Sequence, residues 1–123
     1  MKIQESAENY LETILMLHKK NGNVRSIDIA TEMSFSKPSV SEQMKKFREN
    51  ELILVDENGF ITLTEKGRLI AESVYERHEM IAQMLMSLGV EKEIAYQDSC
   101  RIEHVLSVET FECLKNHYNN HKK

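Results

Sequence analysis

Residues that make tight turns are scarce in this chain: its 123 residues include one proline and four glycines, and tryptophan is absent. An all-β sandwich needs many tight turns, so this scarcity favours a mainly α protein. No apolar run approaches the roughly 18 residues that cross a bilayer. The first residues carry the acids Glu5, Glu8 and Glu12, unlike the basic and then apolar layout of a signal peptide. We therefore expect a soluble, cytoplasmic protein with no membrane partner.

Cysteine is also scarce, because only Cys100 and Cys113 occur. Two cysteines do not make a disulfide framework, so in a reducing compartment each is expected to be a small buried side chain or a metal ligand.

Apolar residues make up 41% and charged residues 29%, which is ordinary globular composition and argues against disorder. The length suits one or two small domains.

Helical spacing of apolar residues recurs along most of the chain. It predicts helices over residues 6–20, 26–33, 37–50, 65–88, 92–106 and 108–118. Two β-prone runs, 52–55 and 60–63, flank turn-forming residues and predict a hairpin between the third and fourth helices. Three helices followed by a hairpin is the order of a winged helix-turn-helix. We predict a mainly α fold, with an N-terminal winged helix-turn-helix of residues 1–70 followed by a second helical domain of residues 71–123.

The third predicted helix has features of a helix that reads DNA. Short hydroxyl side chains and Lys37 stand at its start, where free backbone N–H groups favour phosphate. The whole chain has a net charge of −4, but residues 36–50 hold four cations and two anions, a local charge of +2. DNA affinity follows the charge presented to the duplex. We expect nine residues to contact double-stranded DNA: Arg25, Ser36, Lys37, Pro38, Ser39, Ser41, Glu42, Lys45 and Lys46.

One of these nine residues, Glu42, is an acid and therefore counts against DNA contact by the third helix. Glu42 is unfavourable beside phosphates unless it accepts a hydrogen bond from a cytosine amine. A protein-interaction domain with a solvated charged face would also have this order of elements, and that alternative stays open on the residues alone.

A candidate metal site lies near the C-terminus. Cys100, Glu103 and His104 are spaced i, i+3 and i+4, so a helix would present a thiol, a carboxylate and an imidazole on one face. These groups bind borderline divalent transition metals. Polar residues fall at this spacing on many amphipathic helices, so a core cysteine with solvated neighbours is the alternative. His78 and Glu12 could add ligands, and each could equally be a surface side chain.

Five segments of the chain resemble the diphtheria-toxin-repressor and manganese-transport-regulator family of metal-activated bacterial repressors. These segments are residues 8–14, 36–41, 63–67, 77–79 and 100–107, and the last of them is the most specific. The resemblance extends over residues 6–118, nearly the whole chain. It implies a homodimer whose second domain binds metal and dimerises. It also implies that metal sets two reading helices at the spacing of a palindromic operator, and that metal-uptake genes are controlled.

The resemblance implies a ligand set as well. Five residues match ligand positions of the family: Glu12, His78, Cys100, Glu103 and His104. Asn9 stands where iron-responsive members have Met and manganese-responsive members have Asp, so it offers only a neutral amide oxygen. Cys100 matches the iron-responsive branch, and a thiolate is softer than manganese(II) prefers. The chain resembles the short form without a C-terminal β-barrel. We expect iron(II) as the favoured metal, manganese(II) second, and no small organic ligand.

The expected function is a metal-activated transcriptional repressor and not an enzyme. The alternative is a metal-independent winged-helix regulator that senses a small molecule or oxidation of Cys100. An enzyme ranks lower, because no His-Glu-x-x-His sequence occurs. Dimerisation is expected through the apolar end of the fourth helix, and through the two helices after it. The residues expected at that end are Ile81, Met84, Leu85 and Leu88.

Overall fold

The computed structural model describes residues 5–121, which form six helices and one two-stranded sheet. In chain order the elements are α1 (Glu5–Asn21), α2 (Ser26–Met33), α3 (Lys37–Glu49), β1 (Ile53–Val55), β2 (Ile61–Leu63), α4 (Glu65–Ser87), α5 (Lys92–Ile102) and α6 (Val108–His121). This confirms the predicted mainly α, winged helix-turn-helix fold. Among the helices of these residues, none combines the length and apolar character needed to cross a membrane.

The chain forms two compact units, with the boundary between Ser73 and Val74, inside α4. The first unit contains α1 to α3, the hairpin and the start of α4. The second contains the rest of α4 with α5 and α6. The predicted domain limits of 1–70 and 71–123 stay a prediction.

An apolar core holds the first unit together. The helical spacing of α1 places Leu11 and Ile14 on one face, and both are fully buried. Ile29 of α2 and Val40 of α3 are also fully buried, and Ile61 brings β2 into the same unit at 1% exposure. Burying one such side chain stabilises a fold by about 1.5–3 kcal/mol. This core fixes α3 relative to the hairpin.

The turn between α2 and α3 is tight and well bonded. Ser34 adopts a left-handed backbone conformation, with φ of 58°, and ends α2. Ser36 then caps α3, since its Oγ accepts a hydrogen bond from the backbone N–H of Ser39 at 3.3 Å. Pro38 lies in the first turn of α3, where its missing N–H removes no helical bond. The predicted start of the reading helix is therefore confirmed.

The hairpin that forms the wing is antiparallel, with Val55 opposite Ile61. Its turn is closed by Asp56, whose Oδ1 accepts hydrogen bonds from the backbone N–H groups of Asn58 and Phe60, each at 2.9 Å. Aspartate side chains commonly accept such backbone hydrogen bonds in turns. The turn-forming residues between the two apolar runs therefore predicted the hairpin correctly.

The start of α4 is tied to the chain segment before β1. The Thr64 hydroxyl accepts a hydrogen bond from the N–H of Gly67 at 3.1 Å and donates to the carbonyl of Glu51 at 2.7 Å. Gly67 must lack a side chain, because a Cβ there would lie 2.0 Å from the carbonyl oxygen of Leu52. Thr64 therefore caps the fourth helix at its predicted start, and it also anchors the helix to the preceding chain.

The second unit has its own small core. Val74 and Ile81, seven residues apart on α4, are 3% and 4% exposed, and Phe111 of α6 is 5% exposed. Ile81 is therefore a core residue, and its assignment to a dimerisation surface was wrong. The spacing of seven residues returns Ile81 to the same helix face as Val74. Leu88, by contrast, is 79% exposed.

Helix α5 ends earlier than the spacing of apolar residues predicts. The helix ends at Ile102 and not at Leu106. Beyond it, the N–H groups of His104 and Val105 bond to carbonyls three residues back, at 3.4 and 3.1 Å, which tightens the chain out of the α-helical path. Glu103 and His104 consequently lie in a turn at the end of α5.

A distant arginine and a local cap explain why the helix ends there. Arg77 of α4 donates through Nη2 to the backbone carbonyls of Glu103 and Leu106. Those carbonyls therefore accept hydrogen bonds from a side chain and not from backbone N–H groups of a continuing helix. The Ser107 hydroxyl then accepts a hydrogen bond from the N–H of Thr110 at 3.0 Å and begins α6.

Candidate metal centre and nucleic-acid interface

The end of α5 gathers three side chains with metal-ligand chemistry. A ligand atom from each of Cys100, Glu103 and His104 lies within 4.8 Å of the other two. Cys100 stands in the last turn of α5, Glu103 is the residue that caps its end, and His104 follows in the turn. Although the helix ends early, Glu103 keeps helical φ and ψ, so the predicted grouping of the three is preserved.

Two side chains of this cluster are ionisable and almost fully buried, which is typical of metal ligands and of ion pairs. The side chain of Glu103 is 1% exposed and that of His104 is 2% exposed, with 3.4 Å between Glu103 Oε1 and His104 Nε2. Ionisable groups removed from water are found where they pair with an opposite charge or coordinate a metal. A thiol, a carboxylate and an imidazole together suit a divalent transition metal. The residues present therefore fit such an ion.

His78 of α4 borders the same cluster. One of its ring nitrogens lies within 4.8 Å of a carboxylate oxygen of Glu103. Its Nε2 lies 3.2 Å from the backbone carbonyl of Tyr96, and its ring meets the Tyr96 ring edge-on at 5.6 Å. The Ser99 hydroxyl also donates to the backbone carbonyl of His78. The two contacts of the ring with Tyr96 hold the imidazole in one orientation, as ligating histidines require.

Tyr96 is itself held in place by an acid. Its hydroxyl donates a hydrogen bond to Glu79 Oε2 at 2.9 Å. That bond, with partial burial, raises the pKa of the Tyr96 phenol above its usual value, because an anion beside the ring opposes its ionisation. The same hydrogen bond anchors the Tyr96 ring beside His78.

The other two proposed ligands belong to the first unit. Glu12 is on α1 and is 8% exposed, while Asn9 lies one turn earlier and is partly exposed. Glu12 is thus buried, and a glutamate is rarely buried unless it has a polar or charged partner. A role for Glu12 and Asn9 in metal binding stays a prediction.

The predicted DNA contacts all lie on the surface of the first unit. Arg25 and all eight of the predicted residues in 36–46 are exposed. Ser36 uses its hydroxyl in capping, with its Oγ also 2.9 Å from the Oγ of Ser39. The guanidinium carbon of Arg25 lies 4.4 Å from the centroid of the Phe60 ring, next to the wing. The positive charge of the reading helix is thus presented to solvent, as DNA contact requires.

Two residues that shape the candidate ligand cluster could not be found from the spacing of residues in the sequence. Arg77 bonds the backbone of the turn that presents Glu103 and His104. Ser99 is fully buried and ties α5 to α4. Neither has a residue type typical of a ligand, and their partners are more than 20 positions away in the sequence.

Two protein-family models match the chain. One, described as the N-terminal DNA binding domain of iron dependent repressors, covers residues 2–59. The other, the metal binding and dimerisation domain of iron dependent repressors, covers residues 64–123.

Curated relatives agree with these matches. The HTH-type transcriptional regulator MntR of Geobacillus kaustophilus (strain HTA426) is 36% identical over 102 residues, which is 83% of this chain and 72% of the relative. MntR of Bacillus subtilis (strain 168) is 35% identical over the same length and the same shares.

Solved structures share the fold. The manganese regulator SloR has a TM-score of 0.79 and 32% identity, covering 97% of this chain and 55% of its own. The metal-dependent transcriptional regulator MtsR has a TM-score of 0.84 and 25% identity, covering 92% of this chain and 53% of its own. The present chain therefore spans about half the length of these two solved chains.

Proposed function

This chain belongs to the iron-dependent repressor family of metal-dependent DNA-binding regulators, and we propose that it is a transcriptional repressor activated by a divalent metal. The main support is the cluster of Cys100, Glu103 and His104, whose ligand atoms lie within 4.8 Å of one another around a buried carboxylate. The same chain exposes a basic reading helix, α3, on its other unit. A metal-responsive repressor needs both features in one chain.

We propose that His78, Cys100, Glu103 and His104 hold the metal in the second unit. The resemblance adds Glu12 and Asn9 of the first unit to the proposed ligands. A bound cation supplies positive charge that balances the clustered carboxylates. Metal then acts as a co-repressor by favouring the conformation that binds DNA. A roughly 100-fold gain in operator affinity corresponds to about 2.7 kcal/mol of coupling.

Iron(II) is the proposed co-repressor, and manganese(II) is the second choice. The thiol of Cys100 supports iron(II), because a soft ligand discriminates against manganese(II). The names of the relatives MntR and SloR support manganese(II). Zinc and copper bind such ligands more tightly than either metal, so affinity alone does not identify the physiological ion.

The proposed target is a palindromic operator bound by a homodimer. A dimer with two-fold symmetry places its two reading helices on half-sites one helical turn, or a multiple of it, apart. The match to a dimerisation domain supports this assembly. A regulator of this kind works where the chromosome is, in the cytoplasm. Genes for metal uptake are the proposed targets, and no small organic ligand is required.

Operator binding tests the role of the metal ligands. We expect iron(II) or manganese(II) to raise the affinity for palindromic DNA from the protein's own promoter by roughly 100-fold. The variants Cys100→Ala and Glu12→Gln should each lose most of this gain, because each removes a charged or thiolate ligand. Fluorescence anisotropy under anaerobic conditions, with metal and then with chelator, measures the effect.

The second cysteine provides a matched control. Cys113 is an exposed thiol on α6, so Cys113→Ala should leave metal activation unchanged. Full activation in both ligand variants would show that these residues are not the metal site. DNA binding that ignores chelator would favour the metal-independent regulator, and an oxidant effect abolished in Cys100→Ser would identify thiol sensing.

A further inference from the structure

An acidic side chain stands on the outward face of the reading helix. The buried residues of α3, Val40, Met44 and Phe47, define the face that packs on the core. Glu42 lies two positions after Val40, a rotation of about 200° around the helix axis. It is accordingly exposed, one turn after the residues that begin the helix. Residues in this first half of a reading helix contact base edges in helix-turn-helix proteins.

The contacts within the chain leave the Glu42 carboxylate unused. Among the described residues it makes neither a hydrogen bond nor an ion pair. It borders an open groove with Ser39 and Lys46 of the same helix and the rings of Tyr10 and Phe35. The carboxylate therefore has no role in holding the fold.

A carboxylate on a surface that faces phosphates weakens binding unless it meets a hydrogen-bond donor. In the major groove, cytosine presents the N4 amine as its hydrogen-bonding group. Adenine also has an amine, but it stands beside the N7 acceptor, which repels a carboxylate. Guanine and thymine present only acceptors there. A glutamate at this point of the helix is therefore selective for cytosine.

We propose that Glu42 is a specificity-determining residue that accepts a hydrogen bond from the N4 amine of one cytosine in each operator half-site. This inference rests on the proposed function as a DNA-binding repressor. Lys45 and Lys46 lie one turn further along α3 and are exposed, so they can contact the phosphates on either side of the base. Their charge offsets the repulsion between Glu42 and the duplex.

Selection from a randomised duplex library tests the proposal. The full chain, saturated with manganese(II) and in a parallel series with anaerobic iron(II), is used to select bound sequences. The wild type should prefer cytosine at one position of each half-site by roughly tenfold over the other bases. Glu42→Gln should shift that preference towards adenine, because an amide pairs with adenine N6 and N7. Glu42→Ala should lose the preference.

Glu49 supplies a control for charge. It is an exposed acid seven residues further along α3, about 10 Å from Glu42 along the axis and beyond the first half of the helix. Glu49→Gln should leave the base preference unchanged.

Each outcome decides the proposal. An unchanged preference in Glu42→Gln and Glu42→Ala overturns it, as does a uniform rise in affinity for all sequences, which would mean that Glu42 only repels phosphates. Absence of metal-dependent DNA binding in the wild type overturns the proposed function itself. A failure of the wild type is thus distinguishable from a failure confined to the Glu42 variants.

Discussion

Arg77 connects three parts of the second unit through one guanidinium group. Its Nη2 donates to the carbonyls of Glu103 and Leu106, and its central carbon lies 5.6 Å from the centroid of the Phe111 ring. The planar guanidinium offers several donors at fixed angles, which an ammonium group cannot reproduce. We infer that Arg77 positions the turn that carries two of the proposed metal ligands.

Replacing Arg77 should therefore weaken metal binding. In Arg77→Lys the carbonyls of Glu103 and Leu106 lose their fixed donors, and the turn that presents Glu103 becomes less ordered. Removing a group that orients a ligand typically lowers metal affinity by 10–100-fold, and we expect about tenfold here. Isothermal titration with manganese(II) measures the affinity, and urea unfolding of the metal-free protein measures stability separately.

A second arginine offers the control. Arg68 forms an exposed ion pair with Glu72 at 3.0 Å, with side chains 47% and 44% exposed, so Arg68→Lys should change neither quantity appreciably. Wild-type metal affinity in Arg77→Lys would mean that the arginine serves only to end α5.

The helices of the second unit leave several large apolar side chains in solvent. Leu88 follows α4 and is 79% exposed, Ile94 of α5 is 48% exposed, and Val108 at the start of α6 is 68% exposed. Exposed apolar side chains on a domain matched as a dimerisation domain are the natural contacts between two copies. With Ile81 in the core, these residues replace it as the expected interface.

A charge at Leu88 should disrupt the dimer. Leu88→Glu buries a carboxylate if the interface forms, so we expect the dimer dissociation constant to rise by at least about tenfold. Sedimentation velocity in the presence of metal measures it. Leu69→Glu is the matched control, because Leu69 is 57% exposed on the first unit and should not affect assembly. A wild type that is monomeric at micromolar concentration would contradict dimerisation altogether.

Metal binding should stabilise the whole molecule. An ion that binds the folded chain at 100 times its dissociation constant adds about 2.7 kcal/mol to the free energy of unfolding. For a chain of this size that corresponds to an increase in Tm of roughly 10 °C. Calorimetry of the metal-loaded and chelator-treated protein measures the difference.

The buried carboxylate provides the comparison for this prediction. In Glu103→Gln the site loses a charged ligand, so the metal-dependent increase in Tm should shrink, whatever the stability of the metal-free variant. An equal increase in the variant and the wild type would exclude Glu103 as a ligand.

At the level of the whole chain, the expected regulator is confirmed by its relatives. The matched domains are those of iron dependent repressors, and the two MntR proteins are transcriptional regulators and not enzymes, in agreement with the function that the family resemblance implies. The resemblance to the diphtheria-toxin-repressor and manganese-transport-regulator family is confirmed as well. The individual ligands and DNA contacts stay predictions.

Short-range patterns were sufficient to predict most helix and strand positions. Caps such as Ser36 and Thr64, and the apolar spacing of α1, depend on residues three or four positions apart, so their energetics can be evaluated without a fold. The same spacing brought Cys100, Glu103 and His104 together, because Glu103 keeps helical φ and ψ and the tight turn after α5 leaves the three side chains close.

Long-range packing determined the features that those patterns missed. The early end of α5 depends on Arg77, which lies 26 positions before Glu103. The orientation of the His78 ring depends on Tyr96 of another helix, and the burial of Glu103 and Ile81 depends on which faces of α4 and α5 turn inward. A contact between distant residues stabilises only the folded chain and leaves no periodic trace in the sequence, since any compatible pair of side chains can form it.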